Sequence, residues 1–488
     1  MSILSPISTR HGRRAAGIGL VLTWRQRLLR LLPWHRRLAL LACVGVFSWA
    51  LSGMLHPLMS ALQPKPAAFV PPVVALDLKQ LQAPSVILQQ AGIQQVQALR
   101  LLMLDGQPYY QVRLAGQATP RYWQAQSGLE AQLGDRHAEV LARHYLGSAE
   151  PLQVAGTLTA FSNEYAFINR LLPAVRVDTA RTDGLRLYLD LYQDRLGSLV
   201  DDRKAVFSSL FLWLHSFHWL DLGGPLRPAL MLLLLAASLA AVSLGVASFV
   251  ARRQARTRLR RWHGRAGIGM ALATLAFVGS GAWHLLHKLN AEAPPVAFTA
   301  RFNSAELSSA PQLSWLQDGE QLHRLSLLQL DGQPVWRLQG LRAGSQPSLR
   351  YLAVDGRELD PWAPQRYAEQ RFAQYAAPLG LGAPTSISLQ RSFDHDYGFV
   401  FKRLPVLKAN YPDAAHSALF IDPLDGALAG RVNDGDRAEG WSFAYLHKWE
   451  VLGGISKTVK DVALSLIALA HLLLVFGGLY LWRKRRGA

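Results

Sequence analysis

Four stretches of this chain carry no Asp, Glu, Lys or Arg: residues 38–55, 229–251, 266–283 and 462–482. Each is close to the roughly 17 to 25 residues that a helix needs to cross a hydrocarbon core. A segment that is apolar all round is buried in lipid or in a large core. Four of this length in one chain predict four transmembrane helices.

Charge then sets the orientation. The formal net charge is +19. Residues 1–37 hold eight Arg, residues 252–265 hold seven, and residues 483–486 hold four basic side chains, with no acid in any of the three segments. They account for the whole excess and leave 33 basic residues against 33 acidic ones elsewhere. By the positive-inside rule these segments and both termini are cytoplasmic, and the two long connecting segments lie outside. The excess therefore reads as topology and contact with anionic lipid, with no nucleic-acid partner. A basic lead this long fits a signal anchor better than a cleaved signal peptide. The single Cys43 excludes an intrachain disulfide and a cysteine cluster.

The chain is also written twice. At an offset of 228, Trp34/Trp262, His35/His263, Arg37/Arg265, Ser52/Ser280, Gly53/Gly281 and His56/His284 align without a gap. LLMLDGQP at 101–108 recurs as LLQLDGQP at 327–334. At an offset of 232 come Tyr165/Tyr397, Phe167/Phe399, Arg170/Lys402, Leu172/Leu404, Pro173/Pro405 and His215/His447, and LYLD recurs as LFID. The fold class predicted is a membrane protein: a four-helix transmembrane bundle of two tandem repeats, each with a periplasmic α+β domain. In chain order this gives a basic cytoplasmic segment 1–37, a first span 38–61, an outer domain 62–205, and an interfacial helix with the second span 206–251. A basic loop 252–265, a third span 266–288, an outer domain 289–440, an interfacial segment with the fourth span 441–482 and a tail 483–488 follow. PKPAAFVPP and APPVAF read as linkers.

His263 and His284 lie 21 positions apart in RRWHGRAGIGMALATLAFVGSGAWH. At about 1.5 Å per residue that is about 31 Å, the thickness of the hydrocarbon core, in nearly six whole turns. In a symmetric bundle His35 and His263 meet near the cytoplasmic face, and His56 and His284 near the outer face. His215 and His447, in FLWLH and FAYLH, join the outer tier. Three histidine pairs kept in register while their neighbours differ argue for a retained chemical role, and neutral imidazole is the commonest metal ligand.

Haem suits two imidazoles on facing helices, because its iron takes axial ligands on both sides of a flat apolar macrocycle. Gly53, Gly264, Gly279 and Gly281 would allow close approach of a porphyrin, or equally of another helix. Zinc is disfavoured for want of HExxH or a cysteine cluster, and the uncharged cores hold no acid for a proton path. His471, mid-helix in the fourth span and set opposite Ala241 in the second, is a further ligand candidate. His218 and His287 are unpaired in the repeat. His137, His144, His323, His395 and His416 read as surface histidines, and Tyr165, Tyr397, Arg170 and Arg403 as fold determinants. GIGL and GIGM lack the GxGxxG spacing of a dinucleotide site.

Together PWHRR and RWHGR, SGMLH and SGAWH, LHSFHWLDLGG and LHKWEVLGG, and the LP-centred outer strands resemble the PepSY-associated transmembrane family over nearly the whole chain after the basic lead. That resemblance implies a multi-pass protein of the bacterial inner membrane with two large periplasmic PepSY-like domains. Some members are ferri-siderophore reductases with b-type haems on paired histidines. The cofactor implied is haem b, two or more, held by ligands drawn from His35, His56, His215, His263, His284, His447 and His471. The partners implied are a periplasmic ferric chelate as electron acceptor and a cytoplasmic protein or membrane quinol as donor. Two alternatives stand beside this redox reading: a non-redox PepSY protein that binds peptides or regulates envelope enzymes, and a transporter subunit.

Overall fold

The computed structural model describes residues 26–251, 257–291, 299–342, 347–398, 401 and 403–486. Residues 1–25 of the basic lead, 252–256 of the basic loop, the APPVAF linker, Phe399, Lys402 and residues 487–488 lie outside the described set. The chain divides into a helix unit of Met1–Leu62, Val206–Glu292 and Ala438–Ala488, and a sheet unit of Gln63–Ala205 and Ala293–Arg437.

Four helices of the helix unit, Leu32–Leu62, Leu226–Ala251, Arg258–Leu289 and Lys457–Arg486, are long and apolar enough to cross a membrane. They overrun the uncharged windows. The first begins at Leu32 instead of 38, with Pro33 in its opening turn, where a missing N–H costs nothing. The third begins at Arg258, its N-terminus capped by the Thr257 hydroxyl accepting from the Arg260 N–H, so that residues 258–265 are helix and not loop. The fourth runs through the residues expected as a tail. Arginine is a good helix former whose long side chain can reach the headgroups. Charge therefore marks where a helix leaves hydrocarbon, not where it stops.

Each span packs on two neighbours: the first and third both lie against the second and fourth. Small residues make the contacts close, as at the buried Ala42, Ala237 and Ala241. The shorter helix Asp202–His215 ends against the first span. Its terminal carbonyls, which lack intrahelical donors, accept from Ser48 Oγ at Leu214 (2.8 Å) and from Trp49 Nε1 at His215 (3.0 Å). In the second half the corresponding segment is a wide helical turn, Phe443–His447.

In the sheet unit, each LDGQ stretch folds as a two-residue hairpin turn. Asp105 and Gly106 have φ of 49° and 78°, and Asp331 and Gly332 have 52° and 77°, the pair of left-handed residues that matches strand twist. The sequence predicts a separate domain in each half, whereas the two hairpins share one seven-stranded antiparallel sheet. Strands Ala98–Leu104 and Glu320–Leu330 meet at its centre through Leu101↔Leu325 and Arg100↔Ser326. Joining them removes what would be an open edge on each hairpin. One face of this sheet covers an apolar core with Leu99, Leu101, Leu325, Trp336 and Leu338. Helices Gly134–Leu146 and Ala363–Ala376 and two four-stranded antiparallel sheets complete the unit.

The fully buried Tyr165 and Tyr397 donate to the carbonyls of Leu171 (2.9 Å) and Arg403 (3.0 Å), each just before a cis Leu–Pro bond. Both act as fold determinants, as the sequence predicts. Two histidine readings are corrected. His137, expected at the surface, is 4% exposed and bonded to Tyr122 Oη (2.9 Å) and Asp194 (2.9 Å). His323 lies at a strand irregularity, and both its ring nitrogens are buried without a partner. Each follows from tertiary packing that the local periodicity of helix or strand cannot show.

Candidate cofactor site among the histidines

A cavity of about 950 Å³ lies within the helix unit, lined by His35, His263 and His471, one each from the first, third and fourth spans. Arg36, Arg37, Arg260, Arg261, Arg265 and Arg485 also line it, and no Asp or Glu does. It is an apolar chamber with a cationic rim.

Two glycines seat the rings. A Cβ on Gly245 would come 3.1 Å from His35 Cε1, and one on Gly478 would come 3.3 Å from His263 Cε1. These are not the glycines picked out in the sequence. Gly53 and Gly279 face nothing within 4 Å, Gly264 faces Phe249, and only Gly281 lies beside a ring, 3.5 Å from His447. The offset between Gly245 and Gly478 is 233, which also relates Ser238 to His471. Their side chains bond the carbonyls four residues back, Leu234 (2.7 Å) and Ile467 (2.8 Å). At this offset His471 aligns with Ser238 and not with Ala241. An apolar run holds too little side-chain information to fix its register within one turn.

The hydrogen bonds of the rings follow one pattern. His35 Nδ1 lies 2.8 Å from the Ala241 carbonyl, His471 Nδ1 2.8 Å from Ile467, and His447 Nδ1 3.2 Å from Phe277. His284 Nδ1 meets Glu439 Oε1 at 2.5 Å. Burial opposes ionisation of Glu439, yet the bond from His284 holds its pKa below the usual carboxylate value. Ser52 donates to the Trp49 carbonyl (3.1 Å) and so can accept from His215 Nδ1 (3.0 Å). Carbonyl and carboxylate oxygens only accept, so Nδ1 carries the hydrogen and Nε2 of a neutral ring keeps its lone pair. Burial lowers the pKa of His215 to about 3 and of His447 to about 4, which keeps both neutral at physiological pH. The Nδ1 of His263 is buried without a partner.

Around His56 the rings pack on one another. Phe443 is stacked on both His284 (4.4 Å, 22°) and His447 (4.8 Å, 13°), and so lies between them. Phe211 touches His215 (4.7 Å, 11°) and His56 (5.8 Å, 58°). The rings that meet across the halves are His215 and His447, 6.1 Å apart and perpendicular. The sequence expectation that His56 and His284 meet is replaced by a six-ring chain with those two at its ends. Phe277 touches His447 (5.8 Å) and His471 (6.2 Å), and thereby joins this tier to the cavity. Phe277 and Glu439 carry no motif, whereas Phe211 and Phe443 open FLWLH and FAYLH at the histidines' own offset of 232.

His218 faces Asp221 at 3.6 Å and is partly exposed, and neither it nor His287 lines the cavity. Among the described residues no group of three or more His, Cys, Asp or Glu is placed to hold a metal ion. No protein-family model matches this chain, and no curated protein matches it.

Proposed function

We propose that the helix unit is a haem b electron-transfer bundle of the bacterial inner membrane. In this reading the chain is a PepSY-associated transmembrane protein, its sheet unit is periplasmic, and its halves are tandem repeats. The observation that carries the proposal is the shared tautomer. Five of the seven candidate rings are anchored through Nδ1, four of them to a backbone or carboxylate oxygen, the usual outer support of a metal-bound imidazole, and His215 to the Ser52 hydroxyl.

The residues fit a haem at the cavity. His35, His263 and His471 are the imidazoles from which the iron would be held, Gly245 and Gly478 hold the first two rings close to the helix backbone, and the arginine rim would take the propionate carboxylates. When bound, haem supplies a reversible one-electron iron couple in an otherwise insulating layer. Around His56 the fit differs: Phe443 fills the space between His284 and His447, so the proposal places haem at the cavity alone. The aromatic contacts through Phe277 would serve as packed medium between the two levels.

The acceptor proposed is a periplasmic ferric chelate. Iron(III) on hard oxygen ligands is released more readily once reduced. The donor proposed is a cytoplasmic protein or a membrane quinol. Detergent-solubilised protein should show a Soret band that shifts to the red, with a sharp α band, on adding dithionite. His35→Ala combined with His263→Ala should remove that signal. Colourless protein, or full haem content in the double variant, would overturn the reading.

A further inference from the structure

The central seam of the seven-stranded sheet carries polar side chains where packing alone would favour apolar ones. Tyr122, Gln111, Arg100, Ser326, Arg337 and Tyr351 are in register on six consecutive strands. Directly opposed residues share a face of the sheet, so this row lies opposite the apolar core. Arg324, two positions before Ser326, is on the same face.

Charge there does not balance. Arg100 grips Asp194 with two bonds of 2.6 Å, and His137 bonds the same carboxylate at 2.9 Å. Arg324 also faces Asp194, at 4.0 Å, beyond hydrogen-bond reach. Arg337 donates to the Pro423 carbonyl. Alongside, Arg195 and Arg403 hold Asp422, Arg403 reaches Asp425 at 3.2 Å, and Asp190 is buried nearby with its pKa raised by desolvation. Arg100, Arg195, Arg324, Arg337 and Arg403 thus face Asp190, Asp194, Asp422 and Asp425, which leaves a positive excess even with every acid ionised.

Donors are left over as well. Arg337 is 2% exposed, and among the described residues its Nε, Ser326 Oγ and Arg195 Nη2 have no partner. Burial lowers the pKa of Arg324 to about 9. Uncompensated buried cations and orphan donors are costly, and native folds supply such groups with partners. The Arg324 and Asp194 side chains keep 16% and 17% of their surface, so the cluster reaches solvent on the Arg324 side.

We propose that this seam binds a small oxyanion through Arg324, Arg337 and Ser326, with Arg100 fixed beside them by Asp194. Guanidinium forks and a hydroxyl select the planar or tetrahedral oxygens of carboxylate, sulfate or phosphate. The proposal does not depend on haem.

Calorimetric titration of the full chain with inorganic phosphate at fixed ionic strength should give saturable heats. Arg324→Met and Arg337→Met should each weaken the affinity at least about tenfold, the value of one charge-assisted hydrogen bond. Arg324→Met should also melt no lower than the parent in phosphate-free buffer, since it removes a poorly paired buried cation, and it therefore tests binding in a folded chain. Absence of saturable heat in the parent, or parental affinity in both variants, would overturn the proposal.

Discussion

The two groups of histidines use the same rings in different surroundings. At the cavity, His35 and His263 sit against glycines beside about 950 Å³ of space with an arginine rim. At the other level, His215 and His447 touch and Phe443 fills the gap behind one of them. A ligand-ready tautomer is thus common to both, and room for a macrocycle is the feature that separates them. Histidine spacing alone would give both levels the same role, whereas their neighbours give them different ones.

The largest effect should come from closing the space. Gly245→Ala and Gly478→Ala each place a methyl about 3 Å from an imidazole, and overpacking of this kind costs about 1–3 kcal/mol. Their combination should cut retained haem at least about tenfold. Alanine is the better helix former, so a weaker helix would not explain the loss. Gly281→Ala meets His447 only at ordinary contact distance, 3.5 Å, and should leave the spectrum unchanged. Equal loss in the three variants would break the distinction between the levels.

A second test removes the carboxylate from the packed level. Glu439→Ala leaves the His284 Nδ1–H without its acceptor, which should cost about 1–3 kcal/mol of stability and lower the melting midpoint while haem content stays at the parental value. Loss of haem in step with stability would mean that His284 ligates iron, and would restore two equivalent levels. The asymmetry is already within the chain: at the 232 offset Phe207 stands where the second half has Glu439, and no carboxylate bonds His56 among the described residues.

These contrasts mark how far the sequence could be read. The uncharged windows marked the spans, because lipid tolerates no unpaired charge, whereas LDGQ was legible only as a repeat and becomes a hairpin turn through its two adjacent left-handed residues. The 21-residue spacing separated the histidine levels, since helical rise is nearly invariant. The central seam was hidden, because Arg100 and Ser326 pair through backbone groups that every residue carries. Glu439 was hidden because 155 residues separate it from His284. The pairing of Ala241 with His471 was out by three residues, within a run of Leu and Ala where such a slip changes little in the pattern.

The smallest effect tests His471 and has a sign that a structural role would reverse. Thr274 Oγ1 lies 3.0 Å from His471 Nε2 and 2.8 Å from the Met270 carbonyl. With Nδ1 bonded to Ile467, Nε2 can only accept, so a threonine proton turned from the Met270 carbonyl to the ring caps the atom that would bind iron. The Met270 carbonyl offers that proton another acceptor. Thr274→Val removes the cap with little change of volume. If His471 ligates, the variant should hold haem about two- to tenfold more tightly, the net worth of about 0.5–1.5 kcal/mol for one hydrogen bond. Competition with a haem-scavenging apoprotein reads this directly. If Thr274 instead orients His471 for packing alone, affinity should stay level or fall, and His35 and His263 would be left as the only ligands at the cavity.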